Sequence, residues 1–266
     1  MSDLNKQSQE LYRKADDLLG TLLAKLDCDQ MLDNKSDPER EYKAATLFFL
    51  TKAVKSYRAI LLLCSASFYQ DAAVLSRTVF EIFLQVSYMA GNPIERAPLF
   101  LKHVLVEKYF LYLKLKKYPD LVSDIEKREA DLEKLTAQFK ELEDQYHKGK
   151  GSWGHDLRWL AERVESDDSQ AEKNYLLLYP LYSDLVHSTS SAQKYYIVTT
   201  AGRSVIDSGP SAYAEKLAAL TTATSFVLFT GYYAAAAREL ADSMAEALAL
   251  AKELAKGPAG TAFHEG

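Results

Sequence analysis

Two groups of polar residues stand inside otherwise apolar, helix-periodic stretches, and they are where this chain could do chemistry. Arg77 and Glu81 interrupt AAVLSRTVFEIFLQVSYMA, while Tyr179, Ser183 and His187 interrupt NYLLLYPLYSDLVHSTS. A spacing of four places the members of each group on one helical face. A face that only built a core would carry Leu or Ile there, because burying arginine, glutamate or histidine is costly unless they satisfy one another. An arginine held by a glutamate presents a planar fork to phosphate or carboxylate. The plainer reading of the same pair is an ion pair within or between helices. Imidazole is the side chain that titrates nearest neutrality, which makes His187 a candidate general acid or base. Tyr179 and Ser183 would then orient substrate or the imidazole. The plainer reading of His187 is a cation suited to the helix C-terminus.

Other spacings carry less. Ser183 and His187 on one helix turn suggest a serine hydrolase, but no nucleophile elbow or third orienting group accompanies them. His103/Glu107, Asp144/His147 and Asp184/His187 have metal-type spacings. The paired Glu-x-x-His pattern of di-metal bundles is not met, so neither a metal site nor a cofactor is expected. Trp153, Arg158, Trp159 and Arg163 follow a glycine break and suggest a lid or groove wall, with Arg163 as a further substrate-binding candidate. Packing at a helix start is the blander role for that group.

The elements that must position these residues are helical almost throughout. Of 266 residues, 48% are hydrophobic and 26% charged, which excludes wholesale disorder. A net charge of −5 argues against broad electrostatic capture of nucleic acid or anionic membrane, though not against a local basic patch. Cys28 and Cys64 sit far apart in apolar helical runs, as reduced core thiols would. The polar, helical start reads as no signal peptide, and stretches such as SFVLFTGYYAAAA fall short of the roughly 20 residues of a membrane span. A cytoplasmic protein without a membrane partner is expected.

Periodicity predicts an amphipathic helix over about 3–26, then a helix opened by Asp37-Pro38-Glu39 and running to about 66. Phe68 to Asp71 is a connection, and the next helix ends at Gly91-Asn92-Pro93. A helix over about 94–117 carries Pro98 in its first turns or at a kink. A charged helix over about 120–148 has a heptad-like seam of Leu132, Leu135, Phe139, Leu142 and Tyr146, read as a projecting hairpin arm. Gly149, Gly151 and Gly154 precede a short helix at 155–165, and a long one covers about 171–189. Ile197–Thr200 and Ser204–Ile206 flank Ala201-Gly202-Arg203 as a β-hairpin or ordered loop. An alanine-rich helix over about 211–255 and a disordered tail complete the chain.

The expected fold is an all-α up-down bundle of about six or seven helices with one short non-helical segment. Its expected divisions are an N-terminal helix and turn (1–37), a bundle domain (38–256) with the arm at about 119–150 inserted, and a tail (257–266).

The motif Arg-Thr-x-x-Glu at Arg77, Thr78 and Glu81, followed by Tyr-x-x-x-Ser-x-x-x-His at Tyr179, Ser183 and His187, resembles a bacterial helical family, the domain of unknown function 5677. The resemblance covers roughly residues 40–240. That family is similar to the HEPN-like helical proteins of toxin–antitoxin and phage-defence loci, several of which are metal-independent, dimeric ribonucleases that pair an arginine with a histidine. The resemblance implies a homodimer acting on RNA, with a partner protein encoded nearby. It implies that His187 handles the 2′-hydroxyl or leaving-group proton, that Arg77 stabilises the phosphorane charge, and that Glu81 fixes Arg77. The Arg-x4–6-His spacing of that class is met here only by Arg96 and His103, with Ala97 and Pro98 following the arginine. The rival expectation is a non-catalytic helical module that binds a small anionic ligand or a partner protein.

Overall fold

The computed structural model describes residues 34–66, 68–115, 117–118, 133–140, 156–164, 170–187, 190, 193, 196–200 and 202–206, with isolated positions between 10 and 24. The described residues form an all-α architecture with one small hairpin. Helix α1 (Arg40–Ser65) starts two residues after Pro38, which the sequence puts at its first position. The Asp37 carboxylate accepts from the Glu39 amide at 2.9 Å and from Lys43 Nζ at 2.6 Å. The Lys43 bond, helped by the Glu39 amide, holds the Asp37 carboxyl below its ordinary value. Buried Tyr42, Ala45, Phe49, Ala53, Tyr57, Ile60 and Cys64 recur every three to four residues and form one stripe.

The next helix, α2 (Tyr69–Gly91), packs along α1. The helix thus takes in Tyr69 to Asp71, residues expected in the connection. Val79, Phe80, Ile82, Leu84, Val86 and Met89 of α2 are all buried, a breadth of burial that belongs to the central helix of a bundle. Helix α3 (Pro93–Leu115) has proline at its first position and carries Pro98 within its early turns. It packs on α1, where Phe100 meets Phe49 at 4.7 Å between ring centroids.

Only 133–140 of the expected arm lies within the described residues. It is helical, and Phe139 stacks on Tyr109 of α3 at 4.2 Å. Helix α4 (Leu157–Ala161) is shorter than expected, and Asp156 caps it by accepting from the Trp159 amide at 2.7 Å. Helix α5 (Gln170–His187) packs against α2 and α4.

The segment that resists a helical pattern is a hairpin, β1 (Ile197–Thr200) against β2 (Arg203–Ile206), in register Ile197↔Ile206 and Thr200↔Arg203. Gly202 closes it with φ of 75°, a left-handed conformation that glycine adopts without a Cβ penalty. Described positions between 10 and 24 are helical, and Leu23 packs on the core. Cys64 is buried. Cys28, the helix expected at 211–255 and the tail lie outside the described residues. Among the described residues no helix is long and apolar enough to cross a membrane.

Candidate functional site

The α5 side of α2 carries Arg77 and Glu81, one turn apart, beside the core residues Val79 and Phe80. The two side chains are largely shielded, with 14% of Arg77 and 27% of Glu81 exposed. Arg77 Nε donates to Glu81 Oε1 at 2.7 Å. From α5, Tyr179 accepts from Arg77 Nη2 at 2.7 Å, and its ring lies 4.5 Å beneath the guanidinium carbon. Nη1 reaches Ser183 Oγ at 3.5 Å and lies 3.4 Å from His187 Nε2. The two groups singled out by helical spacing therefore form one cluster with Arg77 as its hub.

The three guanidinium nitrogens are unequally committed. Nε and Nη2 make short bonds, whereas both contacts of Nη1 stand at the long limit of hydrogen bonding. Guanidinium nitrogens only donate, so a hydrogen bond across this gap would have His187 Nε2 as its acceptor. Burial pushes the Tyr179 phenol above its ordinary value against the opposing pull of Arg77, with Glu81 and Asp156 adding to the rise. The Tyr179 hydroxyl thus keeps its proton and can donate while accepting from Arg77. His187 is exposed next to buried Leu185, so the cluster opens to solvent at its imidazole end.

Tyr175, stacked on Tyr179 at 4.7 Å, extends the cluster by another turn. Sequence reasoning passed over it, although Tyr175, Tyr179, Ser183 and His187 form one unbroken series at spacing four. Pro180 was also passed over; it lies inside α5 directly after Tyr179, where it removes a helical N–H.

Arg163 belongs elsewhere. Its guanidinium carbon lies 4.1 Å over the Trp159 ring, Nη1 donates to the Trp159 carbonyl at 3.3 Å, and Glu162 stands 3.6 Å away. Trp159 meets Tyr88 of α2 edge to face at 5.4 Å, so the α4 segment packs as a wall against α2. Arg96 stacks on Tyr88 at 4.1 Å. His103 is 3.4 Å from Glu107, and burial holds its imidazole below the ordinary value against the opposing effect of Glu107. Among the described residues no group of three or more His, Cys, Asp or Glu side chains gathers as metal ligands would.

The model of a family of unknown function, DUF5677, matches residues 43–204, a span that holds every residue of the cluster. The chain belongs to DUF5677. No functionally curated protein and no solved structure matches it. What a DUF5677 domain of this kind does must be read from its own side chains.

Proposed function

We propose that this DUF5677 protein cleaves RNA by acid–base chemistry at the Arg77 cluster. The supporting observation is the loose commitment of Arg77 Nη1, which stands between Ser183 Oγ and His187 Nε2 while Nε and Nη2 are tightly held. A phosphate oxygen can take the Nη1 donors without dismantling the bonds that orient the guanidinium. Ser183 and Tyr179 hydroxyls add neutral donors to the same oxygen cluster. His187 Nε2 accepts the proton of the ribose 2′-hydroxyl as that oxygen attacks phosphorus. The phosphorus–5′-oxygen bond breaks, solvent protonates the departing 5′-oxygen, and a 2′,3′-cyclic phosphate remains. Arg77 offsets the charge that builds on the phosphorane, and Glu81 keeps Arg77 in place.

The test is cleavage of a mixed RNA pool in EDTA by wild type, His187→Ala and Arg77→Lys. Loss of a general base lowers the rate by about 10²–10⁴. Cleavage by wild type alone supports the reading; equal cleavage by His187→Ala, or none by folded wild type, overturns it.

One observation favours a second reading. Glu81 neutralises Arg77 at 2.7 Å, and the chain as a whole carries a net charge of −5, which suits a small anionic ligand better than a long polyanion. A non-catalytic binding module would show a rise in melting temperature with a small phosphate ester and no RNA cleavage.

A further inference from the structure

Positive charge gathers at a second place on α2, about three turns beyond Arg77 and on nearly the same face. There Arg96 of α3 lies 4.1 Å over the Tyr88 ring and donates from Nη1 to the Tyr88 carbonyl at 2.6 Å. Arg163, just past α4, lies 4.1 Å over the Trp159 ring and donates from Nη1 to the Trp159 carbonyl at 3.3 Å. The two rings meet edge to face at 5.4 Å, which joins the stacks into one row of Arg96, Tyr88, Trp159 and Arg163.

Among the described residues each guanidinium is braced by a ring face and one carbonyl, bonds that use few of its five N–H donors. Among the described residues Arg96 has no carboxylate partner. Arg163 has Glu162 at 3.6 Å, but that carboxylate is held more tightly by Arg158 at 2.9 Å. Both guanidiniums act electrostatically on the Tyr88 hydroxyl, each opposing the rise that burial imposes on it. An anion seated along that row would be attracted by both guanidiniums. Planar forks held in place by rings match the paired oxygens of a phosphate.

We infer that Arg96 and Arg163, braced by Tyr88 and Trp159, form a phosphate subsite distinct from the Arg77 cluster, and that it holds a backbone phosphate of single-stranded RNA. The RNA identity of the ligand rests on the proposed function; the phosphate chemistry does not. At 1.5 Å per residue, Arg77 and Tyr88 are about 16 Å apart along α2, a span that a short oligonucleotide covers.

The test uses a fluorescent 2′-O-methyl oligoribonucleotide, which binds without being cleaved, and inorganic phosphate read by tryptophan fluorescence. Wild type is compared with Arg96→Gln/Arg163→Gln and with Arg96→Lys/Arg163→Lys. Losing both arginine contacts to that one phosphate weakens binding about tenfold or more and lowers the log–log salt slope by about 0.7. The Lys pair keeps the slope and loses affinity with the forks. Oligonucleotide binding that is unchanged in a folded Gln pair overturns the subsite and leaves the RNA reading intact. Wild type that ignores the oligonucleotide but binds phosphate, with the response lost in the Gln pair, upholds the subsite and removes the RNA reading. Binding of neither ligand overturns both. Should the Gln pair fail to fold, unchanged affinity of the Lys pair overturns the subsite and weakened affinity at constant slope supports it.

Discussion

The α1 side and the α5 side of α2 are built from opposite chemistry. Toward α1 the interface is apolar and close-packed, with small residues such as Ala45, Ala53, Ala72 and Ser76 buried beside Leu50, Tyr57, Val79 and Phe80. The Ser76 hydroxyl there bonds back to the Ala72 carbonyl at 2.8 Å. Toward α5 the same helix places an arginine and a glutamate against two tyrosines, a serine and a histidine. Stability alone selects the first kind of interface, since replacing a shielded ion pair by apolar groups is often neutral or stabilising. The proposed function gives the second kind its reason.

That contrast can be broken at several points. The largest effect belongs to the apolar side: Phe80 is fully buried, and Phe80→Ala should cost about 3–5 kcal/mol in chemical denaturation. A loss below about 1 kcal/mol would mean that α2 is not the centre of the bundle.

On the polar side, Glu81→Ala should cost roughly 1–3 kcal/mol, between the values for exposed and fully buried pairs, because it strands the guanidinium. The double replacement Arg77→Leu/Glu81→Leu should recover that loss while abolishing RNA cleavage. A double variant as unstable as Glu81→Ala would assign the pair a structural role and dissolve the contrast.

Titration sharpens the picture further. Burial depresses the His103 imidazole, so the unfolded chain takes up that proton before the folded one. The corresponding stability is present above pH ~6.5 and is lost as pH falls through the lower folded value. Histidine resonances in NMR should place His103 below the free value, and His103→Gln should flatten this part of the stability profile. At the alkaline end the raised phenol of Tyr179 acts in the other direction. Its contribution is full below pH ~10 and is lost as pH rises through the higher folded value. Tyr179→Phe should remove that share of the alkaline loss.

The smallest expected stability change is at the exposed end of the cluster. His187→Ala should alter stability by less than about 0.5 kcal/mol, as at ordinary surface positions, while eliminating cleavage. A large drop in melting temperature would make His187 a structural residue.

Much of this was legible from residue order. The helix start at Asp37 needs only a carboxylate two residues ahead of an amide, and the contact to Glu39 follows. Tyr179, Ser183 and His187 had to share a face once their segment was helical. The hairpin at 197–206 was left open between strand and loop, because two four-residue runs carry too little periodicity to separate them; pairing of Ile197 with Ile206 decides it. The extent of α4 was overread, since Asp156 supplies a strong start while the helix spans only Leu157–Ala161. Arg163 stands near a glycine break, and neither its charge nor that place says which aromatic ring will take its guanidinium; the near neighbour Trp159 takes it.

The amino-acid sequence by itself determined the helices, their apolar stripes and the membership of each polar group, because spacing along one chain settles which residues share a face. The meeting of the two groups is another matter. Residues 77 and 187 come together through the axial register of α5 on α2, and that register is set by side chains interlocking across the interface and by the path of the intervening chain. Only the tertiary structure places Arg77 Nη1 between Ser183 and His187. Helical periodicity orders neighbours within an element; close packing between elements chooses partners across it.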